Sequence, residues 1–167
     1  AETGELHQQK PHPLQQIAAI SRNARGQLLL AGELDGKMTV WNEETETAIA
    51  TFPAASEGAI ALSEDGKTLA TVTDKLRLWN VETGNLDRVL DIDRFGNIDL
   101  VALLNDKETL IVGDGEDRLE LWNTTTDRLW YADSENGAFA VAYVGNYLFL
   151  TGSRSGHIQL WMNPTID

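Results

Sequence analysis

Four tryptophans close the same short phrase. They are Met38-Thr39-Val40-Trp41, Leu76-Arg77-Leu78-Trp79, Leu119-Glu120-Leu121-Trp122 and Ile158-Gln159-Leu160-Trp161. The intervals between the indoles are 38, 43 and 39 residues. A period near forty, with one aromatic ending a short apolar run each time, marks a repeat protein whose units bury their faces against one another. It rules out a single conventional core and leaves the ligand open, because such scaffolds do not encode their partners in the repeat.

The second unit is the easiest to read. Ala59-Ile60-Ala61-Leu62-Ser63 forms a small-residue strand, and Glu64-Asp65-Gly66-Lys67 supplies a turn. Residues 68–72 and 75–79 make two further strands, 80–84 turn the chain, and 86–92 make a fourth. Strands this short, punctuated by Gly, Asp and Asn, predict an all-β antiparallel meander. The first unit repeats the plan at 17–20, 28–31, 38–41 and 47–52. The third does so at 100–104, 109–112, 118–122 and 128–131, and the last at 139–144, 147–151 and 158–161. No run is long enough to show a helical period.

Strand alternation puts Met38 and Val40 on one face, Thr39 and Trp41 on the other. Packing groups on both faces suit a sheet stacked between two neighbours, as in a radial array of four-stranded blades. The first strands are rich in alanine (Ala18, Ala19, Ala59, Ala61, Ala102, Ala140, Ala142), which suits crowding at a central axis.

The phrases Leu62-Ser63-Glu64-Asp65-Gly66-Lys67-Thr68-Leu69-Ala70 and Leu78-Trp79-Asn80-Val81-Glu82-Thr83-Gly84 resemble the WD-repeat β-propeller family. So does Asp35-Gly36-Lys37-Met38-Thr39-Val40-Trp41, and the resemblance spans essentially the whole chain, more loosely in units three and four. It implies a β-propeller of four-stranded blades, four of them in this chain. It also implies a buried polar network joining His, Asp, Ser or Thr and Trp, for which His12, Asp35 and Trp41 are the matching residues. Asp74 and Asp117 stand one position closer to their tryptophans, and the last unit offers Ser155 with no Asp.

The last unit stops after its tryptophan strand, while Ala1-Glu2-Thr3-Gly4-Glu5-Leu6 aligns with Val81-Glu82-Thr83-Gly84-Asn85-Leu86. Residues 1–12 are therefore expected to be an outer strand completing the last blade, with blades at 13–52, 53–92, 93–132 and 133–167. WD-type blades suit rings of about seven or eight, and four is the low end of the range. Three completions follow: a slice of a larger propeller finished by further blades, two copies making an eight-bladed ring, or a four-bladed ring closed by the N-terminal strand.

Thirteen Lys and Arg against 26 Asp and Glu leave a net charge of −13, which disfavours nucleic acid and anionic membranes. The absence of cysteine excludes thiol chemistry and disulfides. The longest apolar stretch, 138–150, is interrupted by Gly145-Asn146 and is too short for a membrane span.

No motif is catalytic. Ser155-Gly156-His157 lacks the geometry of a nucleophile elbow. Gly113-Asp114-Gly115 lacks the third glycine and the helix of a dinucleotide site. Asp91, Asp93, Asn97 and Asp99 place oxygens at alternate positions like a calcium loop, yet Phe95 and Ala102 stand where acids are required, so a solvated loop is preferred. No cofactor is expected. Asn123-Thr124-Thr125 is a glycosylation sequon, relevant only to a secreted eukaryotic protein.

The resemblance implies protein partners on the face formed by the links at 53–58, 93–97 and 132–137 and the turns at 33–37, 73–75, 114–117 and 153–156. Arg94, Phe95 and Arg154 are anchor types there, beside Glu116 and Asp117. A non-catalytic protein-interaction scaffold is the expectation. An axial ligand-binding or enzymatic site is the alternative, disfavoured by first strands made of Ala, Ile, Leu and Val.

Overall fold

The computed structural model describes residues 11–22, 25–35, 37–53, 59–73, 75–91, 98–104, 109–114, 118–126, 128–133, 140–145, 148–153 and 155–162. Among them are fifteen strands and no helix. The first sheet is β1 (Gln16–Arg22), β2 (Leu28–Leu34), β3 (Lys37–Asn42) and β4 (Thr47–Phe52). The second is β5 (Ile60–Leu62), β6 (Thr68–Val72), β7 (Leu76–Asn80) and β8 (Leu86–Leu90). The third is β9 (Leu100–Leu103), β10 (Thr109–Gly113), β11 (Leu119–Asn123) and β12 (Arg128–Asp133). The fourth has three described strands, β13 (Ala140–Gly145), β14 (Leu148–Gly152) and β15 (Ile158–Met162). Every sheet is an antiparallel meander in chain order.

Local chemistry accounts for the meander. Asn42, Asn80 and Asn123 each end a tryptophan strand and fold the chain over their own side chains. Asn42 Oδ1 accepts from the N–H groups of Glu44 and Thr45 at 2.9 and 3.2 Å. Asn80 Oδ1 accepts from Thr83 at 2.9 Å, and Asn123 Oδ1 from Thr125 and Thr126 at 2.9 and 2.7 Å. Such side-chain turns start a hairpin where alternation ends. In the fourth unit Met162 occupies this position, exposed and without an acceptor oxygen to offer. The β5–β6 turn uses Gly66 at φ 70, a conformation only glycine adopts without strain.

The same bulge recurs in three sheets. The register slips between Val40 and Trp41, between Leu78 and Trp79, and between Leu121 and Trp122, always against the outer strand. The extra residue bends that strand and increases its twist beside the indole.

Three apolar layers join the sheets in series. Leu29, Ala31, Met38, Val40 and Phe52 of the first sheet pack on Leu62, Leu69, Trp79 and Val81 of the second unit. Ala70, Val72, Leu76, Leu78 and Leu90 pack on Val101, Leu110 and Val112 of the third sheet. Leu104, Ile111, Leu119 and Leu121 pack on Phe149, with Trp161 beside them. Each large side chain so buried stabilises the array by about 1.5–3 kcal/mol before entropy is subtracted. The first strands, β1, β5 and β9, lie next to one another in that order. The alternation expected in β3 is present: Met38 and Val40 face the second sheet, and Trp41 faces the opposite way.

Candidate functional site

The four indoles occupy one register position, and comparing them isolates what is peculiar to the first sheet. Trp79 is buried, donates through Nε1 to Thr71 Oγ1 at 2.9 Å, and packs on Phe52 of the preceding sheet with ring centroids 5.5 Å apart. Trp161 donates to Thr151 Oγ1 at 2.8 Å and stacks on Phe149. Thr71 and Thr151 sit in the second strand, paired with the residue two before the tryptophan. In the third sheet that position is Val112, and Glu120, paired with it, supplies the acceptor instead: Trp122 Nε1 donates to Oε2 at 2.8 Å.

In the first sheet the position is Gly32, paired with Thr39. A Cβ there would fall on the Gln16 carbonyl, because β1 bulges between Ile17 and Ala19 and presses its backbone against β2. Glycine is therefore enforced and the hydroxyl is lost. Trp41 Nε1 is buried without an acceptor. An unsatisfied buried donor costs about 1–3 kcal/mol.

The surroundings of Trp41 also depart from the repeat. Val81 of the second unit is buried at 2% exposure, whereas its counterpart is Glu43; Gly84, at φ 72, has Glu46, at φ 53, as counterpart. His12 meets the Trp41 ring edge-on at 5.5 Å and 77°. The Leu14 N–H donates to His12 Nδ1 at 3.0 Å, so the proton lies on Nε2, which donates to Glu43 Oε2 at 2.9 Å. Pro11, Pro13 and Glu46 complete a cavity of about 310 Å³ around these groups. In the second sheet Phe52 of the preceding sheet packs on the equivalent indole. The cavity is thus the open part of a sheet-to-sheet joint.

The resemblance-derived network is partly assembled. His12 and Trp41 are brought together, but His12 bonds Glu43, while Asp35 is exposed in the β2–β3 turn at φ 52. Arg94, Phe95, Arg154, Glu116 and Asp117 lie outside the described residues, as do Asp93 and Asn97. Asp91 and Asp99 are exposed. Among the described residues no three His, Asp or Glu are grouped as a metal requires. No described helix is long and apolar enough to cross a membrane. Sequence reasoning missed Glu43, Glu46 and Glu120; aligning each unit on its tryptophan would have exposed the first two as replacements of Val81 and Gly84.

Four antiparallel sheets in series, with an indole at the same place in each, define an all-β, WD40-like fold. No family model and no curated protein matches the sequence. Among solved structures the chain is similar to "Structure of U3-55K", at a TM-score of 0.70 and 16% identity. The match covers 93% of this chain and 51% of that one, so the chain spans about half the length of the structure it matches. With 1029 solved chains matching in shape, the likeness shows the fold alone.

Proposed function

We propose that the chain is a non-catalytic protein-interaction scaffold made of WD-type blades and completed by blades beyond those of a single copy. The observation that carries this reading is the state of the two end faces. Ile158, Leu160 and Met162 of the fourth sheet are 77%, 63% and 73% exposed, and Ile17 and Ile20 of the first are 43% and 67% exposed. Contiguous apolar β-faces in water are interaction sites or aggregation hazards. The likeness in fold to a chain about twice as long supports the same view. In this reading the blades run 13–52, 53–92, 93–132 and 133–167, and residues 1–12 add the outer strand of the last; Arg94, Phe95, Glu116, Asp117 and Arg154 belong to the loop face offered to a protein.

The test is in-cell photo-crosslinking from a benzoylphenylalanine placed at Leu160, with the exposed turn residue Lys75 as control. Protein adducts at 160 well above those at 75 are expected. Equal labelling at the two positions would refute the reading.

A further inference from the structure

We propose that the open face of the fourth sheet docks the Trp41 face of a second copy of this chain, so that two copies close on each other through the same joint made twice. The proposal rests on the blade reading above and names the occupant that reading leaves open.

The chain contains three formed examples of the joint. On the donating side, two residues of the tryptophan strand are swallowed each time. Met38 and Val40 are both 0% exposed, Leu76 and Leu78 are 0% and 3%, and Leu119 and Leu121 are 0% and 2%. Ile158 and Leu160 stand at the same register, with the same pairing to the second strand, yet are 77% and 63% exposed. They keep the apolar character of a joint that has nothing on it.

The receiving side shows the mirror deficit. In the second sheet, Leu62 is 9% and Trp79 6% exposed beneath the first sheet. In the first sheet, Ile20 pairs with Leu30 as Leu62 pairs with Leu69, and Ile20 is 67% exposed. Trp41 is half-buried over its cavity, where Trp79 has Phe52 packed against it.

Among the described residues no sheet packs on the outer side of the fourth sheet or on the Trp41 side of the first, and the two faces are complements of the kind joined inside the chain. Among the described residues, Ile158 and Leu160 on one face and Ile20 on the other stand exposed in the same molecule, while Leu30 beside Ile20 is 5% exposed. A second copy supplies both complements at once, and a twofold axis makes the two joints identical, closing the assembly without leftover faces. One chain covers 51% of the propeller-like chain it superposes on, so two copies bring together about that length.

Sedimentation equilibrium of the purified chain tests the proposal. The wild type is expected at twice 18.4 kDa. Leu160→Asp and Ile20→Asp each break both joints of a homodimer and are expected to weaken association at least 100-fold. Both positions are solvent-facing in the single chain, and retention of the β circular-dichroism signal checks that folding is unharmed.

Mixing the two variants is the decisive measurement. Ile20→Asp retains an intact fourth-sheet face, and Leu160→Asp retains an intact first-sheet face, so the mixture recovers one joint and forms a heterodimer that neither variant forms alone. A folded monomeric wild type, an open-ended polymer, or a mixture that stays monomeric would each overturn the two-copy assembly. A folded monomer would leave the blade reading intact, whereas loss of the β signal in the wild type would strike that reading itself.

Discussion

Replacing Thr71 with valine isolates the bond that distinguishes the second indole from the first. The substitution nearly keeps shape and puts a methyl in place of Oγ1, to which Trp79 Nε1 donates at 2.9 Å. Trp79 is 6% exposed and Thr71 is 2% exposed, so water cannot substitute as acceptor. The variant therefore bears the desolvation of an unpaired indole N–H, about 1–3 kcal/mol, rather than the smaller net value of an ordinary hydrogen bond. For a chain of this size, 1 kcal/mol lowers the melting midpoint by about 2–4 °C. Thr151→Val is the internal comparison: Trp161 is half-buried, so its loss belongs at the low end of the same range. The assay is urea unfolding followed by circular dichroism, with protein concentration held fixed so that association does not shift the midpoint. Repeating Thr71→Val in a Trp79→Phe background closes a double-mutant cycle, in which the threonine effect should vanish. The reasoning fails if Thr71→Val is neutral, or if it costs as much without the indole as with it.

Three further outcomes are expected from the same unfolding assay. Gly32→Ala forces a methyl onto the Gln16 carbonyl and should cost about 1–3 kcal/mol, whereas Gly152→Ala, with nothing within 4 Å of the added carbon, should be neutral or slightly stabilising. Glu46→Gly relieves the Cβ strain of a left-handed residue, about 1–2 kcal/mol, and glycine's own entropy takes back about 0.5–1, so a net gain between about 0 and 1.5 kcal/mol is predicted. Asn80→Ala deletes the acceptor of the Thr83 N–H and should cost about 0.5–1.5 kcal/mol; an unchanged midpoint would show that the turn forms without its side-chain bond.

Much of the architecture is legible because it depends on short-range rules. Strand alternation assigns Met38 and Val40 to one face and Trp41 to the other without knowledge of neighbours, and β4 begins and ends where turn residues and apolar character place it, at Thr47–Phe52. Asparagine after the tryptophan announces the hairpin. What the sequence hides is cross-strand. The missing acceptor of Trp41 follows from Gly32 facing Thr39, and the glycine follows from a bulge in β1, two non-local facts with no linear signature. Glu120 reads as a solvent-facing strand residue, yet it is 5% exposed because an indole two positions away claims its carboxylate. His12 finds Glu43, 31 residues on, rather than the Asp35 suggested by resemblance, because the β3–β4 turn brings Glu43 over the indole edge.

The departures of the first sheet fall on one surface, and the proposed joint would account for them, because such a surface exists in water before it is covered. An interior joint forms as the chain folds, so its receiving face can be mostly apolar, as Leu62, Leu69, Trp79 and Val81 are, with the Thr71 hydroxyl satisfied by Trp79. A joint made between molecules is exposed beforehand, and a wholly apolar face would associate without discrimination. Placing Glu43 where Val81 is buried, pairing it with His12, and adding Glu46 beside it breaks the apolar area while leaving Ile17, Ile20 and the Trp41 ring to make contact. That division into an apolar centre and a polar border is the anatomy of interfaces that assemble from soluble parts. On the fourth-sheet face the described residues Ile158, Leu160 and Met162 stand in a row without such an interruption, so in the proposed joint selectivity would reside on the first sheet.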